Sequence, residues 1–282
     1  MAPAGSFDRA SFDAGLALLA SRYRVRYEAT IFERHRYLAG KDAVRLAQLT
    51  DALQSPEIRA VFCARGGYGA MRLLPGLTLP DDGRLLIGFS DITALHLWYQ
   101  SQGRVSIHAP VLTQLGRLGD AAAQRLFTLL ESPHPAPALH ATVSYVPGAA
   151  EGPLVGGNMS VLTRLLGTPY MPSLAGAILL LEDVGERPYR LDRMWMHLEL
   201  AGVFRQIAGI ALGTFTECAE READYGSEQV LQELATATGL PCAGGFPVGH
   251  GERNEALALG SRVRLDADAR TLTPLEGAVQ AE

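Results

Sequence analysis

Apolar and polar positions show two different periodicities along the first half of the chain. Apolar residues three and four apart, the spacing of an amphipathic helix, occur at residues 9–22, 40–55, 91–103 and 120–132. Strand-like runs occur at residues 25–32, 58–64, 84–89 and 105–112. Helices that alternate with near-continuous apolar strands are typical of a parallel sheet covered by helices. We therefore predict an α/β fold whose N-terminal domain is built on a parallel sheet.

The periodicity of apolar residues changes after residue 131. Segment 132–153 is rich in proline and has little periodicity, which is typical of a connection between domains. Beyond it, helical patterns occur at 157–167, 188–202 and 227–239, and strand patterns at 176–184, 207–215 and 263–274. The predicted organisation is an N-terminal α/β domain (1–131), a linker (132–153) and a C-terminal mixed α+β domain (154–282).

The composition excludes several classes of function. The 282 residues are 48% hydrophobic and 20% charged, with a formal net charge of −5, which is an ordinary soluble balance without the basic surface of nucleic-acid binders. The longest apolar run, 175–181, is too short to span a bilayer, and the N-terminus has no signal-peptide pattern. We expect a cytoplasmic protein with neither nucleic acid nor membrane as a partner.

The cysteines and histidines give no pattern of a metal site. Cys63, Cys218 and Cys242 are far apart and form neither a disulfide framework nor a CxxC pair. We expect all three to be small buried apolar residues. No two histidines have the HExxH spacing or another ligand spacing. The sequence therefore predicts no metal and no cofactor.

Ser90 stands where the predicted strand 84–89 turns into a helix, in the sequence Gly-Phe-Ser-Asp. A nucleophile elbow exposes a serine hydroxyl at such a junction, where the next backbone N–H and the helix N-terminus favour a developing oxyanion. The match to G-x-S-x-G is incomplete, because Ile92 replaces the second glycine. On this stretch alone, Ser90 or Asp91 as a helix cap is the favoured interpretation.

Three other stretches carry candidate chemistry. The glycine-rich turn at 65–69 matches neither the G-x-G-x-x-G pattern nor the P-loop pattern of nucleotide-binding proteins. Its N–H groups can form half of an oxyanion hole, because glycines let the backbone come close to a ligand. The alternative is a tight strand-helix turn without a function. Glu182 and Asp183 end a buried strand, where only one of them can face a given site; the alternative is an ion pair with Arg187, Arg190 or Arg193. His250 lies between glycines in an open loop, and the alternative is an ordinary surface histidine.

Together and in this order, these stretches resemble the LD-carboxypeptidases, the serine peptidases that include the muramoyltetrapeptide carboxypeptidases and the microcin C self-immunity peptidases. The resemblance covers nearly the whole chain. It is carried by APAG at 2–5, RGGYGAMRLLPGL at 65–77, IGFSDITALH at 87–96, GGNMSVLTRLLGTPY at 156–170, LEDVGERPYRLDRM at 181–194 and GGFPVGHG at 244–251.

The resemblance implies a role for each of these stretches. Ser90 would be the nucleophile, His250 the general base and Glu182 the carboxylate that orients it. The oxyanion hole would use the backbone N–H groups of Gly67 and Asp91, and Asp91 is also expected to cap the helix. Arg65 is a candidate to bind the substrate carboxylate, because arginine binds carboxylates in a bidentate manner. Tyr68 and Asn158 are further candidates to contact substrate.

The function implied is release of the terminal D-alanine from a murein tetrapeptide during cell-wall recycling, by an acyl-enzyme mechanism without a metal. A homodimer is also implied. Two alternatives stay open: a microcin-immunity-like peptidase acting on an aminoacyl-nucleotide or related amide, and a ligand-binding protein of this fold without catalysis. Family members usually have an apolar strand before APAG, whereas this chain begins at Met1, so either the start site is misassigned or the first sheet lacks a strand.

Overall fold

The computed structural model describes residues 1–80, 84–220 and 225–279 and places twelve strands and eight α-helices in these ranges. The strands are β1 (Ala60–Phe62), β2 (Leu85–Gly88), β3 (Ser106–His108), β4 (Leu139–His140), β5 (Val143–Val146), β6 (Ala149–Asn158), β7 (Ile178–Val184), β8 (Gly209–Thr216), β9 (Cys242–Gly244), β10 (Leu257–Leu259), β11 (Arg262–Asp266) and β12 (Thr271–Pro274). The helices are α1 (Arg9–Ala20), α2 (Asp42–Gln54), α3 (Thr93–Ser101), α4 (Leu112–Leu115), α5 (Asp120–Glu131), α6 (Met159–Leu165), α7 (Pro188–Leu200) and α8 (Ser227–Thr238).

The strands form two sheets. In the four-stranded sheet the order is β1-β2-β3-β10; the first three strands are parallel, and β10 pairs antiparallel with β3. In the eight-stranded sheet the order is β4-β12-β11-β6-β7-β8-β9-β5, and its centre, β6 to β9, is parallel. The predicted α/β class, with a parallel sheet first and a mixed sheet second, is therefore confirmed.

The helix α3 joins the two sheets. Each residue from Thr93 to Tyr99 is buried, because α3 packs against β3 on one side and against β6 and α6 on the other. The Thr93 hydroxyl accepts a hydrogen bond of 2.9 Å from the backbone N–H of Asn158, at the end of β6. The start of α3 is thus fixed directly to the second sheet.

Met1 forms hydrogen bonds with the outer edge of β1 and with the residues that follow this strand. The Met1 ammonium donates to the Phe62 carbonyl at 2.8 Å, and the Ala64 N–H donates to the Met1 carbonyl at 2.6 Å. Within the described residues no strand lies beyond β1.

Two segments differ from their sequence patterns. Residues 25–32 form no strand: a 3-10 helix covers Ala29–Phe32, and Tyr27 and Phe32 pack against Phe12 of α1 at ring distances of 5.1 and 5.0 Å. Segment 132–153, predicted as a linker, contains β4, β5 and the start of β6. The division of the chain into two domains around that segment stays a prediction. In the described ranges, no helix is both long enough and apolar enough to cross a membrane.

Candidate active site

Ser90 lies at a sharp junction between β2 and α3. Phe89 is extended, Ser90 has φ of +65°, and a 3-10 helix over Ser90–Ile92 leads into α3. A positive φ is uncommon for a residue other than glycine, and strain of this kind is concentrated at functional sites. The capping alternative is wrong: Ile92 is the N-cap of α3, and its side chain makes no capping bond. The structure thus presents Ser90 in the backbone geometry of an elbow.

The glycine-rich turn lies directly against Ser90. A Cβ added to Gly66 would lie 2.8 Å from the Ser90 Cβ and 3.0 Å from its Oγ, so only glycine allows this approach. Gly67 follows with φ of +100°. The turn is also bonded to the residue after the serine, because Ala70 N–H donates to Asp91 Oδ2 at 2.8 Å. Asp91 therefore binds the turn and does not cap the helix.

Glu182 and His250 form a short hydrogen bond. The Glu182 side chain, on β7, is fully buried, and its Oε2 lies 2.7 Å from His250 Nδ1. The pairing of β7 with β8 shifts register between Leu181 and Asp183, on either side of this glutamate. The Glu182 carboxylate accepts a hydrogen bond from Nδ1–H, which leaves Nε2 as the basic nitrogen of the ring.

The alternative of arginine partners for the two carboxylates is wrong. Asp183 points to other partners than Glu182 does: its oxygens accept bonds from Asn158 Nδ2 at 3.0 Å and from the Ser160 N–H at 2.8 Å. Burial raises the pKa of Asp183 to about 6, against the opposing effect of these donors. Only one of the two adjacent carboxylates meets the histidine, as strand alternation requires.

His250 is held in the loop 245–256, which runs from β9 in one sheet to β10 in the other. The N–H groups on either side of it are both bonded: Gly249 donates to Asn254 Oδ1 at 3.0 Å, and Gly251 donates to Thr214 Oγ1 at 3.1 Å. The His250 ring lies 4.7 Å from the ring of Phe89, the residue before Ser90. The loop that connects the two sheets therefore places His250 next to the junction that carries Ser90.

The three candidates for substrate contact lie in different settings. Arg65 is exposed, and its Nη1 donates to the Ser6 carbonyl. Tyr68 is 49% exposed and makes an edge contact with Tyr37. Asn158 is buried; its Oδ1 caps α6 by accepting from the Val161 N–H, and its Nδ2 binds Asp183. Each polar atom of Asn158 makes one bond within the protein, and its contact with substrate stays a prediction.

The cysteines are buried and free, as predicted. Burial raises the pKa of Cys63 and of Cys242 to about 12, so these thiols are poor nucleophiles. In residues 1–80, 84–220 and 225–279, no group of three or more His, Cys, Asp or Glu side chains is arranged to hold a metal ion.

Sequence reasoning missed the residues that support the site. Phe89, Thr214 and Asn254 contact His250 or its neighbours, and no pattern in the sequence distinguishes them. Arg45 is also buried at the glycine-rich turn. Its signal was available: Arg45, Leu49 and Leu53 are spaced four apart and share the buried face of α2, although an arginine is ordinarily expected at the surface.

Comparison with known proteins gives one consistent match. The models of the LD-carboxypeptidase N-terminal and C-terminal domains match residues 1–109 and 151–265. The murein tetrapeptide carboxypeptidase of Pseudomonas aeruginosa is 39% identical over 83% of this chain and 81% of its own. The crystal structure of muramoyltetrapeptide carboxypeptidase from Oxalobacter formigenes superposes with a TM-score of 0.87 at 29% identity over 98% of both chains. The microcin C7 self-immunity protein of Escherichia coli is 25% identical over 87% of this chain and 82% of its own.

Proposed function

The chain belongs to the LD-carboxypeptidase family and is a serine-type carboxypeptidase, and we propose that it releases the terminal D-alanine from a murein tetrapeptide. The observation that carries the proposal is the 2.7 Å bond between Glu182 and His250 beside the strained junction at Ser90. This pair supplies an oriented base next to a hydroxyl on a tight turn, which is what acyl transfer by serine requires.

In the proposed first step, Ser90 attacks the carbonyl of the peptide bond that precedes D-alanine. His250 Nε2 takes the hydroxyl proton as the bond from Ser90 Oγ to carbon forms. Glu182 accepts the hydrogen bond from Nδ1–H throughout, and so favours the tautomer with a basic Nε2 and stabilises the imidazolium. The full burial of Glu182 strengthens this interaction, because little water competes for the carboxylate.

The negative charge on the carbonyl oxygen needs donors that are already in place. The backbone N–H groups of Gly67 and Asp91 are the proposed donors, because the turn packs against Ser90 at Gly66 and is bonded through the Ala70 N–H to Asp91, the residue after the serine. Collapse of the intermediate breaks the C–N bond, and His250 gives its proton to the leaving amino group of D-alanine. Water, deprotonated by His250, then hydrolyses the acyl-enzyme and frees Ser90.

Recognition of the free terminal carboxylate is assigned to Arg65, which is exposed and lies in the same glycine-rich turn. A guanidinium can bind a carboxylate through two parallel bonds. Tyr68, exposed in the same turn, is proposed to contact the peptide.

The test is incubation of the purified protein with murein tetrapeptide, with detection of free D-alanine and of the tripeptide. We expect release of D-alanine by the wild type. Ser90→Ala should lower kcat by roughly 10⁴–10⁶-fold with the fold intact. A folded Ser90→Ala variant that turns over normally, or a wild type that leaves the tetrapeptide uncut, would contradict the proposal.

Similarity to the microcin C7 self-immunity protein supports a second candidate function, cleavage of an aminoacyl-nucleotide or a related amide. The same serine chemistry serves both reactions, since each transfers the acyl group of the substrate to Ser90 and then to water. A panel that pairs the tetrapeptide with aminoacyl-nucleotides separates them by kcat/KM. A preference for the nucleotide substrates would replace the murein assignment and leave the catalytic residues unchanged.

We also propose a homodimer, which the family resemblance implies, and a cytoplasmic location, which was the expectation from the sequence. Sedimentation at micromolar concentration tests the dimer, and cell fractionation tests the location.

A further inference from the structure

Arg45 is a charged side chain that the proposed mechanism does not use, and it is buried beneath the glycine-rich turn. It projects from α2, has no exposed surface, and donates from Nη1 to the carbonyl of Gly69 at 3.0 Å and to the carbonyl of Pro3. Its Nη2 is paired with Asp42 Oδ1 at 2.5 Å. A buried guanidinium is costly to desolvate, so its bonds to the turn need a physical reason.

Asp91 binds the same peptide group of the turn, the one between Gly69 and Ala70. Its side chain is 4% exposed, and its Oδ2 accepts the Ala70 N–H at 2.8 Å. Burial raises the pKa of Asp91, while the Ala70 bond and the charge of Arg45 act against that rise. A cation therefore binds the carbonyl of Gly69 and an anion binds the next N–H along the chain.

We propose that Arg45 and Asp91 are positioning residues that lock the turn 65–69 against Ser90, so that the Gly67 N–H points at the oxyanion. The inference rests on the proposed function, which uses the N–H groups of Gly67 and Asp91 as the oxyanion donors. Asp91 then has two roles: its N–H is one donor, and its carboxylate fixes the segment that carries the other.

The physical reason is the need for donors that do not move as the charge develops. Gly67 and Gly69 both have positive φ, and Gly66, Gly67 and Gly69 lack side chains, so the turn has little stiffness of its own. Oxyanion stabilisation depends on preorganised donors, and an error of about 1 Å in placement can cost about 100-fold in rate. Two charged groups fixed by α2 and by the elbow supply the stiffness that the glycines lack.

The experiment compares Arg45→Lys and Asp91→Asn with the wild type. Arg45→Lys keeps the charge but loses the planar fork, and Asp91→Asn keeps the size but loses the anion. For each variant we expect kcat for D-alanine release to fall by about 10- to 100-fold with KM within about twofold, because oxyanion bonds form only in the transition state.

A second measurement reports the oxyanion hole itself. A tetrapeptide analogue with an aldehyde in place of the terminal D-alanine forms a hemiacetal with Ser90, whose oxygen occupies the oxyanion position. Its affinity should weaken in parallel with kcat/KM across the variants, whereas the affinity for the tripeptide product should not change. A role in folding alone would not move the aldehyde affinity of the folded protein.

Arg84→Lys is the matched control. Arg84 is also a buried arginine that bonds a backbone carbonyl, since its Nε donates to Ser55 at 2.8 Å, but it lies at the end of β2 opposite to Ser90. We expect this variant to lose stability as the others do while keeping its kcat and its aldehyde affinity. The double variant Arg45→Lys/Asp91→Asn should lose less than the product of the two single effects, because both act on one turn.

The outcomes separate the inference from the proposed function. If the aldehyde forms no adduct with Ser90 in the wild type, the proposed function fails and the inference fails with it. If the adduct forms equally well in the wild type and in both folded variants, only the inference is overturned. If Arg45→Lys does not fold, Asp91→Asn alone decides by the same two measurements.

Discussion

At the scale of single residues, Glu182 has a sharply defined environment. Its Oε2 is bonded to His250 Nδ1, whereas its Oε1 is buried and has no hydrogen-bond partner among the described residues. A neutral amide fits this environment badly in either orientation. With its oxygen toward His250, the amide NH₂ is buried without an acceptor; with its NH₂ toward His250, the histidine takes the wrong tautomer.

Glu182→Gln is therefore expected to lower kcat by about 10²–10⁴-fold with the fold retained. Asp183→Asn, the matched change one residue along the strand, should cost far less in turnover, because Asp183 binds Asn158 and Ser160 and not His250. Steady-state kinetics on both variants, with circular dichroism to check folding, makes the comparison. Equal losses of kcat in the two folded variants would contradict the assignment of Glu182.

Asp183 also predicts a pH dependence of stability. Its folded pKa of about 6 lies above the ordinary value of 3.8 for this carboxyl, so the folded state binds the proton more tightly than the unfolded state. Its contribution to stability is full below about pH 4 and is lost as the pH rises through about 6. The free energy of unfolding of the wild type relative to Asp183→Asn should therefore fall by up to about 3 kcal/mol between pH 4 and pH 7.

Urea unfolding at several pH values measures this difference, and effects of the other acids cancel because both proteins share them. A wild type that gains stability relative to the variant as the pH rises would show that the hydrogen bonds donated to Asp183 by Asn158 Nδ2 and by the N–H groups of Ser160 and Val184 outweigh its burial.

The role of a single residue could be predicted from the sequence only where the residues that define this role are close to it in the chain. Ser90 stood at a strand-to-helix junction in the sequence, and the structure gives it that junction with a positive φ. His250 and Glu182 are 68 residues apart, and only the family resemblance joined them in advance. The burial of Arg45 was not predicted, because the pattern of apolar and polar positions places an arginine at the surface. Its partners are backbone carbonyls, which leave no mark in the sequence.

At the scale of elements, helices were predicted better than strands. The helices α1, α2, α3, α5, α6, α7 and α8 fall within the predicted segments, because the helical spacing of apolar residues is set locally. Residues 25–32 have an alternating pattern but no neighbouring strand to pair with, and Tyr27 and Phe32 cover Phe12 instead. Strand β6 was missed because glycine and proline dilute its apolar pattern.

The glycine at the end of β6 has a steric reason that yields a prediction. Gly157 has φ of +133°, and a Cβ there would lie 2.6 Å from Thr93 Oγ1, which bonds the Asn158 N–H. Gly157→Ala should lower the free energy of unfolding by about 2–4 kcal/mol, by backbone strain together with overpacking.

Gly103→Ala is the matched control, since Gly103 also has positive φ, at +69°, but a Cβ there meets nothing within 4 Å. Gly103→Ala should lower the free energy of unfolding by only about 1 kcal/mol, because backbone strain is its only cost. Urea titration compares the two variants. Equal losses would mean that the contact between β6 and α3 tolerates the added methyl group.

At the scale of the whole molecule, the site is assembled from both sheets. Ser90 follows β2 of the four-stranded sheet, Glu182 lies on β7 of the eight-stranded sheet, and His250 lies on the loop that passes between them. The order of strands in each sheet could not be predicted, because strand pairing is decided by contacts between segments far apart in the chain. The return of β10 to the first sheet is the clearest case.

Because every step of the proposed mechanism is performed by side chains and backbone groups from these two sheets, activity should not depend on a metal ion. Exhaustive dialysis against a chelator is expected to leave kcat for D-alanine release unchanged. A loss of activity that returns only on addition of a divalent ion would contradict the mechanism, and a chelator-treated sample that stays folded by circular dichroism is the necessary control.

The return of β10 also sets an order of events during synthesis of the chain. At about 5–20 residues per second, the ribosome adds Leu257–Leu259 on the order of ten seconds after β3 has been made. Until then the nascent chain carries β3 with an unpaired outer edge, the kind of edge on which other chains aggregate. The first sheet, although its parallel strands are encoded early, is completed only after strands β4 to β9 of the second sheet have been made.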